Sequence, residues 1–96
     1  MCGIYKIENL LNHKIYIGQA INIKQRWINH KKSKDNCAIH LAFKKYGIDN
    51  FSFEVIEECP IELLDEREIY WIQQFNSFEN GYNMTLGGGG SLKKAV

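Results

Sequence analysis

A single small domain of mixed α and β elements is predicted by three observations. Two β-branched and aromatic runs, Gly3-Ile4-Tyr5-Lys6-Ile7 and Lys14-Ile15-Tyr16-Ile17-Gly18, flank a polar loop in the manner of a hairpin. A third run, from Phe51 to Glu57, alternates Phe51, Phe53, Val55 and Glu57 with Ser52, Glu54 and Ile56, as a strand does. Between and after these strands, apolar residues recur at helical spacing. A chain of 96 residues has room for one small core.

Each element follows from its residues. A hairpin symmetric about Leu10 and Leu11 pairs Tyr5 with Tyr16 and Ile4 with Ile17, placing both phenols on one face and both isoleucines on the other. From Ala20 to about Lys32, Ile21, Ile23, Trp27 and Ile28 mark a helix, with Arg26 and His30 one turn apart beside that stripe. A second helix runs from about Asn36 to Tyr46 and stops at Gly47. Pro60 opens a third, from Ile61 to Asn76. Asn80-Gly81 is a turn, Tyr82-Asn83-Met84 a short extended piece, and Gly87 to Ser91 a flexible linker leading toward something outside these residues. The domain is therefore placed at residues 1–86 and the tail at 87–96.

Composition excludes several classes. With 45% hydrophobic residues and a single proline, collagen-like, repeat and disordered readings fall away. No apolar run approaches the roughly 18 residues of a membrane span, and no leader pattern opens the chain, so no membrane partner and a cytoplasmic setting are expected. Cys2, Cys37 and Cys59 are odd in number and lack CxxC spacing, and His13, His30 and His40 show no ligand spacing, which argues against a disulfide framework and a zinc knuckle. The net charge of +1 conceals segregation. Residues 1–50 carry nine Lys or Arg against three Asp or Glu, while residues 51–96 carry three against eight. Lys24, Arg26, Lys31, Lys32 and Lys34 crowd one short segment, which reads either as a polyanion footprint or as a solvated helix face.

In the last helix, Ile61, Leu64, Glu68, Ile72 and Phe75 share one face. A carboxylate on an apolar stripe must be paired, hydrogen-bonded or metal-bound, so Glu68 belongs either to a structural ion pair or to a site. Asp65 and Glu66 point elsewhere and read as solvated. Tyr5 and Tyr16 alone would be ordinary strand aromatics.

Together these residues carry a resemblance. Gly3-Ile4-Tyr5 and Tyr16-Ile17-Gly18, followed in order by Arg26-Trp27, His30, Glu68, Tyr70-Trp71-Ile72 and Gly81-Tyr82-Asn83, are similar to the motif set of the GIY-YIG nuclease superfamily, over residues 2 to about 86. The wording around the motifs most resembles the catalytic domains of phage-type homing endonucleases. The resemblance implies an α/β fold of the α+β type, with a three-stranded antiparallel sheet flanked by helices, and a DNA phosphodiesterase dependent on Mg²⁺ or Mn²⁺. It implies Tyr5, Tyr16, Arg26, His30, Glu68 and Asn83 as catalytic residues, with Glu68 as the metal ligand. DNA is the implied partner, with a separate domain or partner supplying specificity; the crowding of positive charge, rather than the resemblance, offers Lys24, Lys31, Lys32 and Lys34 as its contacts. The alternatives are a nucleic-acid-binding module that retains the fold without cleavage, a protein-interaction domain using the acidic half, or a restriction or repair nuclease. Related homing enzymes carry a further His or Lys between the first two helices; Lys32 and Lys34 are candidates here, whereas His40 falls too far into the second helix.

Overall fold

The computed structural model describes residues 1–33 and 37–87. Lys34 and all of the tail beyond Gly87 therefore lie outside the described residues. Strand β1 (Gly3–Asn9) is the centre of a three-stranded antiparallel sheet, with β2 (Ile15–Ala20) on one side and β3 (Phe51–Glu58) on the other. The helices are α1 (Ile23–Lys32), α2 (Ala38–Tyr46), α3 (Leu64–Phe75) and the single turn α4 (Ser77–Asn80).

Because successive residues of β1 point to opposite faces, the central strand feeds two cores. Tyr5 and Ile7 pack with Ile23 of α1, Ile39 and Ala42 of α2, Phe51 and Tyr82. Ile4 packs on the other face with Ile17, Leu64 and Ile72, so α3 covers that side. The basic and acidic halves of the chain thus supply helices to opposite faces of the sheet.

The hairpin register differs from the symmetric expectation. Tyr5 pairs with Gly18 and Ile7 with Tyr16, while Ile4 faces Gln19 and Lys6 faces Ile17. The loop centres beyond Leu11 because the Asn9 side-chain oxygen accepts from the Leu11 N–H at 2.9 Å, and His13 takes a left-handed turn at φ 64°. The shift is even, so the two phenols still share one face.

In β3 the alternation breaks. Tyr5 pairs with Val55 but Ile4 with Glu57, leaving Ile56 as an inserted residue. Glu57 is thereby turned away from the Phe51, Phe53 and Val55 face expected for it. It lies toward α3, accepting from Arg67 Nε at 2.8 Å and Trp71 Nε1 at 2.8 Å.

The helix boundaries also move. Ala20 ends β2, and α1 begins at Ile23, where Asn22 caps it by accepting from the Gln25 N–H at 3.1 Å. Ile21 lies in the intervening turn and is exposed. Helix α2 starts at Ala38 and ends at Tyr46, capped by Gly47, whose φ of 88° suits glycine. Residues 61–63 form a 3₁₀ turn, so α3 starts at Leu64, and Ile61 is exposed rather than part of the packed stripe.

Candidate active site

An open cleft of about 450 Å³ runs along β2 and takes side chains from both faces of the sheet. Tyr5, Tyr16 and Arg26 enter from the α1 side, Gln19 and Glu68 from the α3 side, and Asn83 from the segment after α4. Five of the six catalytic candidates line this cleft directly. The sixth, His30, stands immediately behind Tyr5.

Tyr5 is fully buried on the central strand. Its Oη meets His30 Nε2 at 2.7 Å and receives a long contact from Arg26 Nε at 3.5 Å. Both partners come from one face of α1, four residues apart. The Tyr16 ring lies 6.3 Å from that of Tyr5 and 5.6 Å from that of His30. Burial pushes the Tyr5 phenol well above the ordinary phenol range, and neighbouring Tyr16 adds to this, while the Arg26 hydrogen bond and charge pull it back. Burial raises the Tyr16 phenol as well, against the opposing charge of Arg26. Both tyrosines therefore rest as phenols.

Glu68 is half-buried at the far side of the cleft, where its Oε1 accepts from Gln19 Nε2 at 3.0 Å. The same amide donates to Asp65 Oδ1 at 2.7 Å. Asp65 thus corrects the expectation of a solvated side chain: it shares a clamp with Glu68, and only Glu66 is exposed. Gln19 was invisible to pattern reasoning because its role depends on the hairpin register. Among the described residues no three His, Cys, Asp or Glu side chains converge on one point. The donors on offer, two carboxylates one helical turn apart and a neighbouring amide, are all oxygen-bearing. They suit a hard cation that keeps most of its water and takes one or two carboxylates.

Asn83 reaches the cleft, but its amide is engaged on the edge of β2. Oδ1 accepts from the Ile17 N–H at 2.8 Å and from Ser77 Oγ at 2.6 Å, while Nδ2 donates to the Ile17 carbonyl at 2.8 Å. The Tyr82 N–H donates to the Ile15 carbonyl at 2.9 Å. The expected extended piece is thus an irregular segment that docks by one main-chain bond and one side-chain amide.

Lys24, Lys31 and Lys32 are exposed on α1 and do not line the cleft. Lys24 and Lys31 fall on the Trp27 side of the helix, with the Lys31 ammonium 5.4 Å from the Trp27 ring centroid. His40 corrects a second expectation. Rather than lying too far into the second helix, it sits in the first turn of α2, buried against α1, with Nε2 2.7 Å from His30 Nδ1 and Nδ1 3.1 Å from Cys37 Sγ. The first turn of α2 faces the last turn of α1, a proximity that linear spacing does not reveal.

Comparison with known proteins agrees with this geometry. The family model for the GIY-YIG catalytic domain matches residues 1–83. Intron-associated endonuclease 1 of Enterobacteria phage T4 is 39% identical over 89 residues, covering 85% of this chain and 36% of that protein. A probable intron-encoded endonuclease 1 of Neurospora crassa is 37% identical over 89 residues, covering 84% of this chain and 29% of that protein. The chain thus spans about a third of the length of these curated relatives. The solved catalytic domain of the homing endonuclease I-TevI superposes with a TM-score of 0.77 at 35% identity, over 88% of this chain and 99% of that one. The narrower likeness to phage-type homing endonucleases is therefore supported along with the fold. With its two tripeptides paired across one hairpin and its family motifs gathered at one cleft, this chain belongs to the GIY-YIG catalytic domain family.

Proposed function

We propose that this domain hydrolyses DNA phosphodiester bonds with a divalent cation, as the catalytic module of a homing-type endonuclease whose specificity is supplied by another domain or partner. The observation that carries this reading is the contact of Tyr5 Oη with His30 Nε2 at 2.7 Å, in a cleft that also presents Arg26 and Glu68.

Phosphodiester hydrolysis needs a proton acceptor for the attacking water, cationic donors for the phosphoryl oxygens, and stabilisation of the departing alkoxide. Tyr5 is positioned as the acceptor. Its phenol is too basic to be ionised at rest, so its proton must pass to His30 as the water attacks. Arg26, planar and permanently charged, is suited to hold the phosphate and to favour the phenolate form of Tyr5. The Tyr16 phenol shares the face and is available to a phosphoryl oxygen or to water. Glu68, oriented by Gln19, would hold Mg²⁺ or Mn²⁺, with Asp65 beside it. A cation bound there supplies charge neutralisation at the phosphate and the leaving oxygen. Asn83 secures the Tyr82-Asn83 segment against the strand that carries Tyr16, which supports a positioning role for it. The exposed lysines of α1 extend positive charge beyond the cleft toward flanking phosphates.

Incubation with supercoiled plasmid across a Mg²⁺ and Mn²⁺ titration tests the proposal. Nicked or linear product that requires the cation and disappears in Tyr5→Phe supports it; cation-independent activity, or activity retained in Tyr5→Phe, refutes it.

A further inference from the structure

A row of polar side chains continues behind the cleft. Tyr5 Oη, His30 Nε2, His30 Nδ1, His40 Nε2, His40 Nδ1 and Cys37 Sγ follow one another at 2.7, 2.7 and 3.1 Å across the three gaps between residues. His30 and His40 are both buried, and their rings meet edge-on at 5.0 Å. A neutral imidazole has one N–H and one bare nitrogen. For His30 to accept a proton from Tyr5, Nε2 must be the bare nitrogen and the hydrogen must sit on Nδ1. That hydrogen then needs an acceptor, and His40 Nε2 is the atom in place. If the row ran the other way, His30 Nε2 would donate to Tyr5 and could not serve as its base.

We infer that His40 is a positioning residue: by accepting the Nδ1–H of His30 it fixes the ring in the tautomer and orientation that leave Nε2 open toward Tyr5. This rests on the phosphodiesterase reading for its consequence, though not for its geometry. Hydrogen-bond partners that fix the tautomer and orientation of metal-bound histidines typically cost about 10- to 100-fold in affinity or activity when removed, and an effect of that order is expected here. His40 also has a route to water, because a cavity of about 130 Å³ lined by Arg26, Asn29, His30, Ser33 and His40 lies beside the pair. When His30 takes the proton from Tyr5, the O–H bond breaks and Nε2–H forms; the Nδ1 hydrogen shifts toward His40 Nε2, so the new positive charge is shared across the two rings.

The test reads the histidine ring nitrogens by ¹⁵N NMR in the whole chain, without DNA or metal, at a pH where both rings are neutral, alongside single-turnover plasmid cleavage. Wild type should show His30 with Nδ1 protonated and Nε2 bare. His40→Leu should give a mixture of His30 tautomers and a cleavage rate at least about tenfold lower, with DNA affinity unchanged. His40→Gln places an amide oxygen near the position of Nε2 and should restore both readouts to within about threefold. Should His40→Leu fail to fold, His40→Asn, whose amide falls one bond short, takes its place. A wild-type His30 protonated at Nε2, or an unchanged tautomer and rate in His40→Leu or His40→Asn, overturns the inference. If wild type cleaves no DNA, the functional proposal fails while the ring-nitrogen spectra still decide the role of His40.

Discussion

The Tyr5 ring lies against the α-carbon of Gly18, so closely that a Cβ at residue 18 would overlap its Oη and Cζ atoms. The two residues are direct partners in the β1–β2 ladder. The glycine that ends the second tripeptide is therefore the floor on which the tyrosine of the first one rests, and the two motifs form one packing unit. In Gly18→Ala the ring or the strand must shift, which disturbs the contact between Tyr5 and His30. The expected result is a loss of about 1–3 kcal/mol in chemical denaturation, typical of an overpacked core, with cleavage reduced far more than a stability loss of that size explains. Wild-type cleavage in a folded Gly18→Ala protein would disconnect the ring position from the chemistry.

Glu68 separates structural from catalytic readings. It accepts from an amide of Gln19, which a glutamine side chain can also do through its own carbonyl. Glu68→Gln should accordingly stay within about 1 kcal/mol of wild type in stability, while cation binding, read by calorimetry, and plasmid cleavage both collapse. A large fall in melting temperature with cleavage retained would make Glu68 a structural residue.

The opposite behaviour is expected of Glu57. Its hydrogen bonds from Arg67 and then Trp71 hold its carboxyl below the usual carboxylate value of 4.5. A folded-state value depressed in this way contributes stability above the unfolded value, and that contribution is lost as pH falls through the folded one. The stability gap between wild type and Glu57→Gln should therefore be widest above about pH 5 and shrink as acid is added. Both groups of the ion pair are partly exposed, so the gap is expected to be modest. Denaturation curves of the two proteins at several pH values measure it; a gap that grows on acidification has the wrong sign.

Lys31 and Lys32 stand outside the cleft on α1. Replacing both with Ala should weaken DNA binding and lower the slope of log affinity against log salt by up to about two, without altering the amide spectrum of the fold. An unchanged salt slope would move the DNA surface to another element.

Local patterning made most of this fold legible, because strands and helices of this length advertise themselves through period and punctuation. What it missed was set by single backbone events. One loop held by Asn9 displaced the hairpin register, and one inserted residue at Ile56 sent Glu57 to the opposite face. The six motif residues were readable because a known family carries them. The partners of Glu68 and His30 were not, since Gln19, Asp65 and His40 acquire their roles only through contacts between elements distant in sequence. Tertiary contacts of that kind leave no periodic trace.

The amide of Asn83 has a meaning apart from chemistry. Strand β2 is an outer strand of the sheet, and such a rim ordinarily offers main-chain donors and acceptors to any passing extended segment. Here Asn83 occupies both groups of Ile17, and the backbone of Tyr82 takes the Ile15 carbonyl. One side-chain amide and one neighbouring main-chain N–H thus stand where a fourth strand would pair, so the middle of this rim has fewer main-chain groups left to offer an extended segment.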